Sequence, residues 1–333
     1  MPDRPVILTG FHFTKTTLAA LEERCEIVGR MENPQPTPAD IPAGVADRVQ
    51  AIVSTGSVGI SDAMMAALPR LSLFCCYGTG YERVDLAAAR KRNIMITHGA
   101  DANAPDVAEL AIGILLASTR RIVRADKMVR RGEWTKRIPN RFGAIAGLTG
   151  GKVGILGLGA IGMEFAKRIK GFDVEIGYCN RNPRSDVGFR YFPNVMELAT
   201  WCDYLIVALR SDASNRHIIN AEVLKALGPR GHVVNISRGW AVNEADVAEA
   251  LRNDVIEGAA LDVYDEEPYE GTELLGLDKL VMTPHFGGGT EHAQRRMTAL
   301  VKQNLDNHFD GKAVVSAVPE MRDLVGVVKP RSA

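Results

Sequence analysis

The sequence predicts an α/β protein built from doubly wound parallel sheets, and three observations carry that prediction. Short apolar runs alternate with helix-period segments along the chain, the pattern of parallel strands covered by helices on both faces. At 333 residues there is length for about two domains, each able to bury a core. Midway, a glycine-rich turn, Gly157-Leu158-Gly159-Ala160-Ile161-Gly162, joins a buried strand to an amphipathic helix.

Taken in order, strands are expected at 5–9, 25–29, 51–55, 71–76 and 94–98, with helices at 14–23, 61–67 and 85–91. A long helical stretch is expected from Pro105 to Arg131. It opens on Pro105-Asp106, where a missing N–H costs nothing and an acid suits the helix dipole. After a glycine-rich link at Gly143–Gly151, strands are expected near 152–156, 174–178, 203–208, 231–236, 258–263 and 279–283. Helices are expected at about 160–170, 221–227, 243–252 and 291–309, and a weakly ordered tail from Arg322 to Ala333.

Lys plus Arg equals Asp plus Glu at 40 each, so no summed field attracts nucleic acid or a membrane surface. The expected partners are a small molecule and a second copy of the chain. The five cysteines sit mostly in apolar runs without metal-type spacing or a secretory framework, and no metal is expected. The N-terminus shows no charged segment followed by an apolar one and a cleavage site, and the apolar helical run Leu110–Ser118 is shorter than the ~20 residues that cross a bilayer. A cytoplasmic location is the expectation.

The strand Lys152–Leu156 enters the glycine turn and the helix from Met163 leaves it. In that setting Gly157 makes the tight turn, Gly159 lets backbone approach a pyrophosphate, and Gly162 lets helix and strand pack closely. An NAD site usually places an acid ~20 residues further on, to take the ribose hydroxyls. Here the chain reads Asn180-Arg181-Asn182, with Arg184 behind it and no acid at the strand end. A guanidinium chelates a 2′-phosphate that a carboxylate would repel, so NADP(H) is preferred. NAD(H) remains open, with Asn180 serving the ribose and Arg181 a solvated charge.

Two further strand ends carry reactive side chains. The strand His232–Ile236 delivers Ser237-Arg238-Gly239, and Leu280–Thr283 delivers Pro284-His285. Ligands of open α/β sheets bind at such carboxyl ends. Arg238 can hold a carboxylate bidentately and polarise an adjacent keto oxygen, or simply pair with a helix. Glu267, in Asp265-Glu266-Glu267-Pro268, is either a solvated acid or the partner of His285. As a partner it would favour the imidazolium and fix its tautomer, which suits a general acid for carbonyl reduction.

With Arg238, Glu267 and His285 in that order, the chain resembles the D-isomer-specific 2-hydroxyacid dehydrogenase family, and most of all its glyoxylate/hydroxypyruvate and hydroxyphenylpyruvate reductase branch. The resemblance runs from Gly78-Thr79-Gly80-Tyr81-Glu82-Arg83-Val84-Asp85 through Asp106-Val107-Ala108-Glu109 and the glycine turn to Pro284-His285-Phe286-Gly287-Gly288-Gly289-Thr290. It implies a Rossmann dinucleotide-binding domain at 100–290, inserted into a flavodoxin-like substrate domain made of 1–99 and 291–333, with closure between them excluding water.

The resemblance also implies roles. Arg238 binds the 2-keto acid, His285 protonates its oxygen, and Glu267 holds His285. Asp262 contacts the nicotinamide end, with Val107 and Ile236 lining the ring, Ser237, Gly287 and Gly288 nearby, and Ala208 and Leu209 bordering the adenosine. The N–H groups of Val58 and Gly59 are expected to grip the substrate carboxylate. The implied activity is NADPH-dependent reduction of a small 2-keto acid to a D-2-hydroxy acid by a homodimer formed through the Rossmann domain. Reduction of 2-ketogluconate or an aromatic 2-keto acid is the alternative within the family, and a cofactor-sensing, corepressor-like binding protein the alternative outside it. The sequence departs from the family at His98-Gly99-Ala100-Asp101-Ala102-Asn103, on the pocket lip. Cations within 132–142, where relatives approach a partner subunit's site, would suit an extended or hydroxylated substrate.

Overall fold

The computed structural model describes residues 4–10, 12–33, 35–56, 58–135, 144–210 and 213–331. They fall into two compact units, Met1–Asn103 with Gly289–Ala333, and Ala104–Gly288.

The first unit holds a five-stranded sheet of β1 (Val6–Thr9), β2 (Glu26–Arg30), β3 (Ala51–Ser54), β4 (Leu73–Cys76) and β5 (Met95–Thr97), ordered β2-β1-β3-β4-β5 and parallel throughout. This is a flavodoxin-like order. β1, β3 and β4 are buried along their whole length, which explains their continuous apolar runs, whereas edge strand β2 is only partly covered. Helices α1 (Lys15–Glu22), α2 (Asp62–Ala66) and α3 (Leu86–Lys91) start where Thr14, Ser61 and Asp85 accept hydrogen bonds from first-turn N–H groups.

The tail corrects an expectation. It is tied down to Arg331: Val328 is buried, and the Arg331 guanidinium donates to the carbonyls of Pro69 and Arg92. Its anchors are backbone oxygens distant in sequence, which no local pattern announces.

The second unit holds seven parallel strands, β6 (Lys152–Leu156), β7 (Glu175–Cys179), β8 (Arg190–Phe192), β9 (Tyr204–Val207), β10 (His232–Asn235), β11 (Gly258–Leu261) and β12 (Leu280–Met282). Their order, β12-β11-β10-β9-β6-β7-β8, is the doubly wound dinucleotide-binding order with one strand added, and it reverses between β6 and β9. Side chains alternate between two cores. Val153, Ile155, Ile206 and Val234 face α4 (Ala104–Thr119) and α6 (Ala160–Ile169). Leu156, Val207, Val233 and Leu261 face α7 (Val195–Trp201), α8 (Ala221–Leu227) and α9 (Glu244–Arg252).

The helix expected over Pro105–Arg131 is two helices, α4 and α5 (Ile122–Arg130), broken at Arg121 with φ +51°. The left-handed residue is anchored by an ion pair between Arg121 and Glu257, ahead of β11. β8 and α7 were not anticipated, although Asn194 caps α7 by accepting from the Glu197 N–H at 2.9 Å, a pairing the Asn-x-x-Glu spacing carries.

Candidate active site

The carboxyl ends of the second unit's strands gather the residues singled out in the sequence. At the switch between β6 and β9, Gly157 has φ +99°, and a Cβ there would lie 2.4 Å from the Leu209 Cα. The glycine turn and Ala208–Leu209 therefore pack backbone to backbone. A Cβ on Gly162 would lie 2.4 Å from the Gly157 oxygen, whereas one on Gly159 would meet nothing within 4 Å. The turn is thus closed on its protein side and open before the N-terminus of α6, where Ala160, Ile161 and Gly162 present first-turn N–H groups, the setting that receives a pyrophosphate.

Beyond β7, the Asn180 Oδ1 accepts the Leu158 N–H at 2.7 Å, so this side chain braces the glycine turn. Arg184 is also committed: it donates to the Leu158 carbonyl at 2.8 Å and pairs with Asp186. Arg181 and Asn182 are exposed, and no carboxylate stands at the strand end itself. These residues fit a dinucleotide, and the cation at the ribose position fits one bearing a 2′-phosphate.

Arg238 follows β10 on a turn built by Asn235. The fully buried Asn235 Oδ1 accepts from the N–H and hydroxyl of Ser237 at 3.1 and 2.9 Å, and its amide donates to the Arg238 carbonyl at 2.9 Å. Gly239 then runs against the chain following β11: a Cβ would fall 1.7 Å from the Tyr264 carbonyl carbon. The Arg238 turn and the loop bearing Glu267 are thereby locked together, with Ile236 buried beneath.

His285 is bonded through Nδ1 to the Glu267 Oε2 at 2.6 Å, and the other oxygen of Glu267 accepts the Tyr264 N–H at 3.0 Å. Burial would raise the Glu267 carboxyl, but the His285 hydrogen bond and charge, the Tyr264 N–H and the Arg238 charge outweigh it and hold Glu267 below its ordinary range. An ionised Glu267 fixes the proton on Nδ1, which leaves Nε2 as the ring nitrogen able to exchange a proton with a ligand. His285 is exposed on its turn.

Asp262 has a task the sequence did not disclose. Buried at the end of β11, its carboxylate accepts from the Thr283 hydroxyl at 2.7 Å and from the Phe286 and Gly287 N–H groups at 3.1 Å, while its carbonyl accepts the His285 N–H at 2.8 Å. It therefore shapes the turn that carries His285. A Cβ on Gly287 would contact Asp262 and Val107, so these three are neighbours, with Gly288 next in the chain.

In the first unit, one expectation is corrected. The N–H groups of Val58 and Gly59 are both donated to the Thr55 carbonyl, at 3.2 and 3.4 Å, and a Cβ on Gly59 would meet the Arg83 backbone at 2.2 Å. Their donors close a turn. The stretch Gly78–Gly80 has the opposite character: among the described residues its N–H groups have no intrachain acceptor, while the Thr79 side chain is tied to Ala100 and Asn103. His98, from the expected pocket lip, reaches the Thr79 carbonyl through Nδ1 at 3.3 Å. Of the region 132–142, residues from Lys136 onward lie outside the described residues.

A doubly wound sheet with a dinucleotide turn and an acid-paired imidazole at one edge defines a nicotinamide-dependent oxidoreductase. Residues 112–287 match the family model described as D-isomer specific 2-hydroxyacid dehydrogenase, NAD binding domain. The chain is 38% identical over 284 residues to a hydroxyphenylpyruvate reductase of Plectranthus scutellarioides, covering 85% of this chain and 90% of that one. It is 37% identical to a glyoxylate/hydroxypyruvate reductase of Arabidopsis thaliana, covering 81% and 85%. Among solved structures it resembles the NADPH-dependent glyoxylate/hydroxypyruvate reductase of Sinorhizobium meliloti in complex with NADP and malonate, with TM-score 0.88, 33% identity and coverage of 99% and 100%. The chain belongs to the D-isomer specific 2-hydroxyacid dehydrogenase family and is an NAD(P)-dependent enzyme acting on a CH–OH group.

Proposed function

We propose that the chain is an NADPH-preferring reductase of small 2-keto acids, glyoxylate and hydroxypyruvate first among them, yielding D-2-hydroxy acids. The observation that carries the reading is the 2.6 Å bond between His285 Nδ1 and Glu267, beside the Arg238 turn. A nicotinamide dinucleotide bound at the glycine turn supplies the hydride. Arg238 binds the substrate carboxylate and draws charge from the keto oxygen. His285 delivers a proton from Nε2 to that oxygen, and Glu267 stabilises the imidazolium beforehand. Arg181 reads the 2′-phosphate. The Arabidopsis and Sinorhizobium relatives support this substrate class, the Sinorhizobium one supports the cofactor as well, and the Plectranthus relative supports an aromatic 2-keto acid as the second candidate.

The unit formed by the two ends of the chain is the substrate-binding domain in this reading, and the Gly78–Gly80 N–H groups are its carboxylate donors. A homodimer through the dinucleotide-binding unit is supported by α5, none of whose residues is buried, and by Ile122, Val129 and Trp134, exposed at 51%, 50% and 66%. Among the described residues no helix is long and apolar enough to cross a membrane. The cysteines are unpaired and buried, which supports a reducing, cytoplasmic setting.

The test is oxidation of NADPH and NADH by the purified protein with glyoxylate, hydroxypyruvate, a phenylpyruvate, pyruvate and 2-ketogluconate. Rapid NADPH oxidation with glyoxylate or hydroxypyruvate is expected, and Arg181→Ala should raise the KM for NADPH well above its effect on NADH. Silence with every acid despite NADPH binding would overturn the reductase and favour a sensing protein.

A further inference from the structure

Glu244 opens α9, six residues beyond Arg238, and Asn243 already caps that helix by accepting the Asp246 N–H. A glutamate in a first helical turn ordinarily faces water and gains from the dipole. This one is partly buried and reaches across to another loop, where its Oε1 accepts the Asp265 N–H at 2.7 Å. The preceding N–H, that of Tyr264, is held by Glu267 itself at 3.0 Å. Two successive donors at the base of the Glu267 loop are thus gripped by two carboxylates, one from inside the loop and one from α9.

We propose that Glu244 is a positioning residue for the proton donor: by holding the Asp265 N–H it fixes the Tyr264–Glu267 loop and so keeps Glu267 against His285. The proposal rests on the reading of His285 as the proton donor. Gly239 packs against the same backbone, and Arg216 pairs with the Asp265 side chain at 2.8 Å. Glu244 is the hydrogen-bonding arm that joins the start of α9 to this segment.

The electrostatic setting says why a carboxylate is kept there at a cost. Burial raises the Glu244 carboxyl; the Asp265 N–H opposes that, and the charges of Asp265, Glu273 and Glu267 reinforce it. The facing cations are engaged elsewhere, Arg216 on Asp265 and Arg238 acting on Glu267, and the nearby Tyr264 and Tyr269 hydroxyls have their own pKa raised by burial. An acid placed among acids is costly as a mere helix-surface residue. Its hydrogen bond to the loop is the compensating gain.

The experiment measures kcat and its pH profile for 2-keto acid reduction, with the NADPH Kd by cofactor fluorescence, in Glu244→Ala and Glu244→Gln. Glu244→Ala should lose roughly tenfold in kcat, as a slightly misplaced catalytic group does. Its loss of activity at high pH should set in at lower pH, with the NADPH Kd within about twofold of the parent's, since the glycine turn is untouched. Glu244→Gln keeps an acceptor oxygen and should retain kcat within about threefold. Parent-like kcat and pH profile in Glu244→Ala would overturn the proposal. If that variant does not fold, Glu244→Asp decides: it keeps the charge and shortens the arm, so the same kcat loss is expected and parent-like kcat overturns the idea. His285→Ala in the same assay isolates the underlying reading, because turnover without His285 would refute the proton donor whatever Glu244 does.

Discussion

His285 has φ +49°, a left-handed conformation that costs a non-glycine residue about 1–3 kcal/mol. Asp262 holds it there by accepting from both sides of the turn, which aims the imidazole at Glu267. The candidate pair was legible in the sequence because a histidine and an acid each follow an apolar strand. The role of Asp262 was not, because a buried aspartate at a strand end looks the same whether it meets a cofactor or its own backbone. Glu267, held below the ordinary carboxylate range, binds a proton less readily folded than unfolded. Its contribution to stability is therefore present above that range and lost as pH falls through its folded value. Glu267→Gln removes the charge that favours the imidazolium. Reduction by this variant should fall roughly a hundredfold, with a pH–rate profile that departs from the parent's. A pH–rate profile superimposable on the parent's would remove Glu267 from the proton path.

At the scale of elements, the site depends on how closely two loops approach. Gly239 after β10 touches the Tyr264–Asp265 backbone after β11, so the arginine and the acid share one rigid base. A methyl group at position 239 would overlap backbone. Gly239→Ala should thus destabilise the protein by about 2–3 kcal/mol or more and cut activity far beyond that loss, as seen by thermal melting and kcat/KM. A normal melting temperature with full activity would show that the loops can part. Helices and strands with clear periodicity were anticipated from sequence. The break at Arg121 was not, since neither proline nor glycine marks it and its support, Glu257, is remote in sequence. The short β8 lay hidden because, at the sheet edge, only Phe192 of its three residues is buried and no apolar run marks it.

For the whole molecule, the apolar surface of α5 is the outstanding debt. Exposed Ile122 and Val129 on a helix without a buried residue call for cover, and a second copy of the chain supplies it in our reading. Ile122→Asp with Val129→Asp should yield monomers by light scattering at concentrations where the parent is dimeric, with the fold retained by circular dichroism. A dimeric double variant would move the interface elsewhere.

The amino-acid order by itself determined the alternation of strands and helices, the glycine turn, and the presence of Arg238, Glu267 and His285 at strand ends, because those features are written in local periodicity and residue type. Tertiary structure alone decided which N–H groups remain for a ligand. Val58 and Gly59 spend theirs on Thr55, while Gly78–Gly80 retain theirs among the described residues. It also decided that Asn180 braces the glycine turn and that Asp262 bends the chain at His285. For Asn180 and Asp262 the physical reason is that a hydrogen-bonding group is defined by its partner, and partners brought together across a sheet are far apart in the chain.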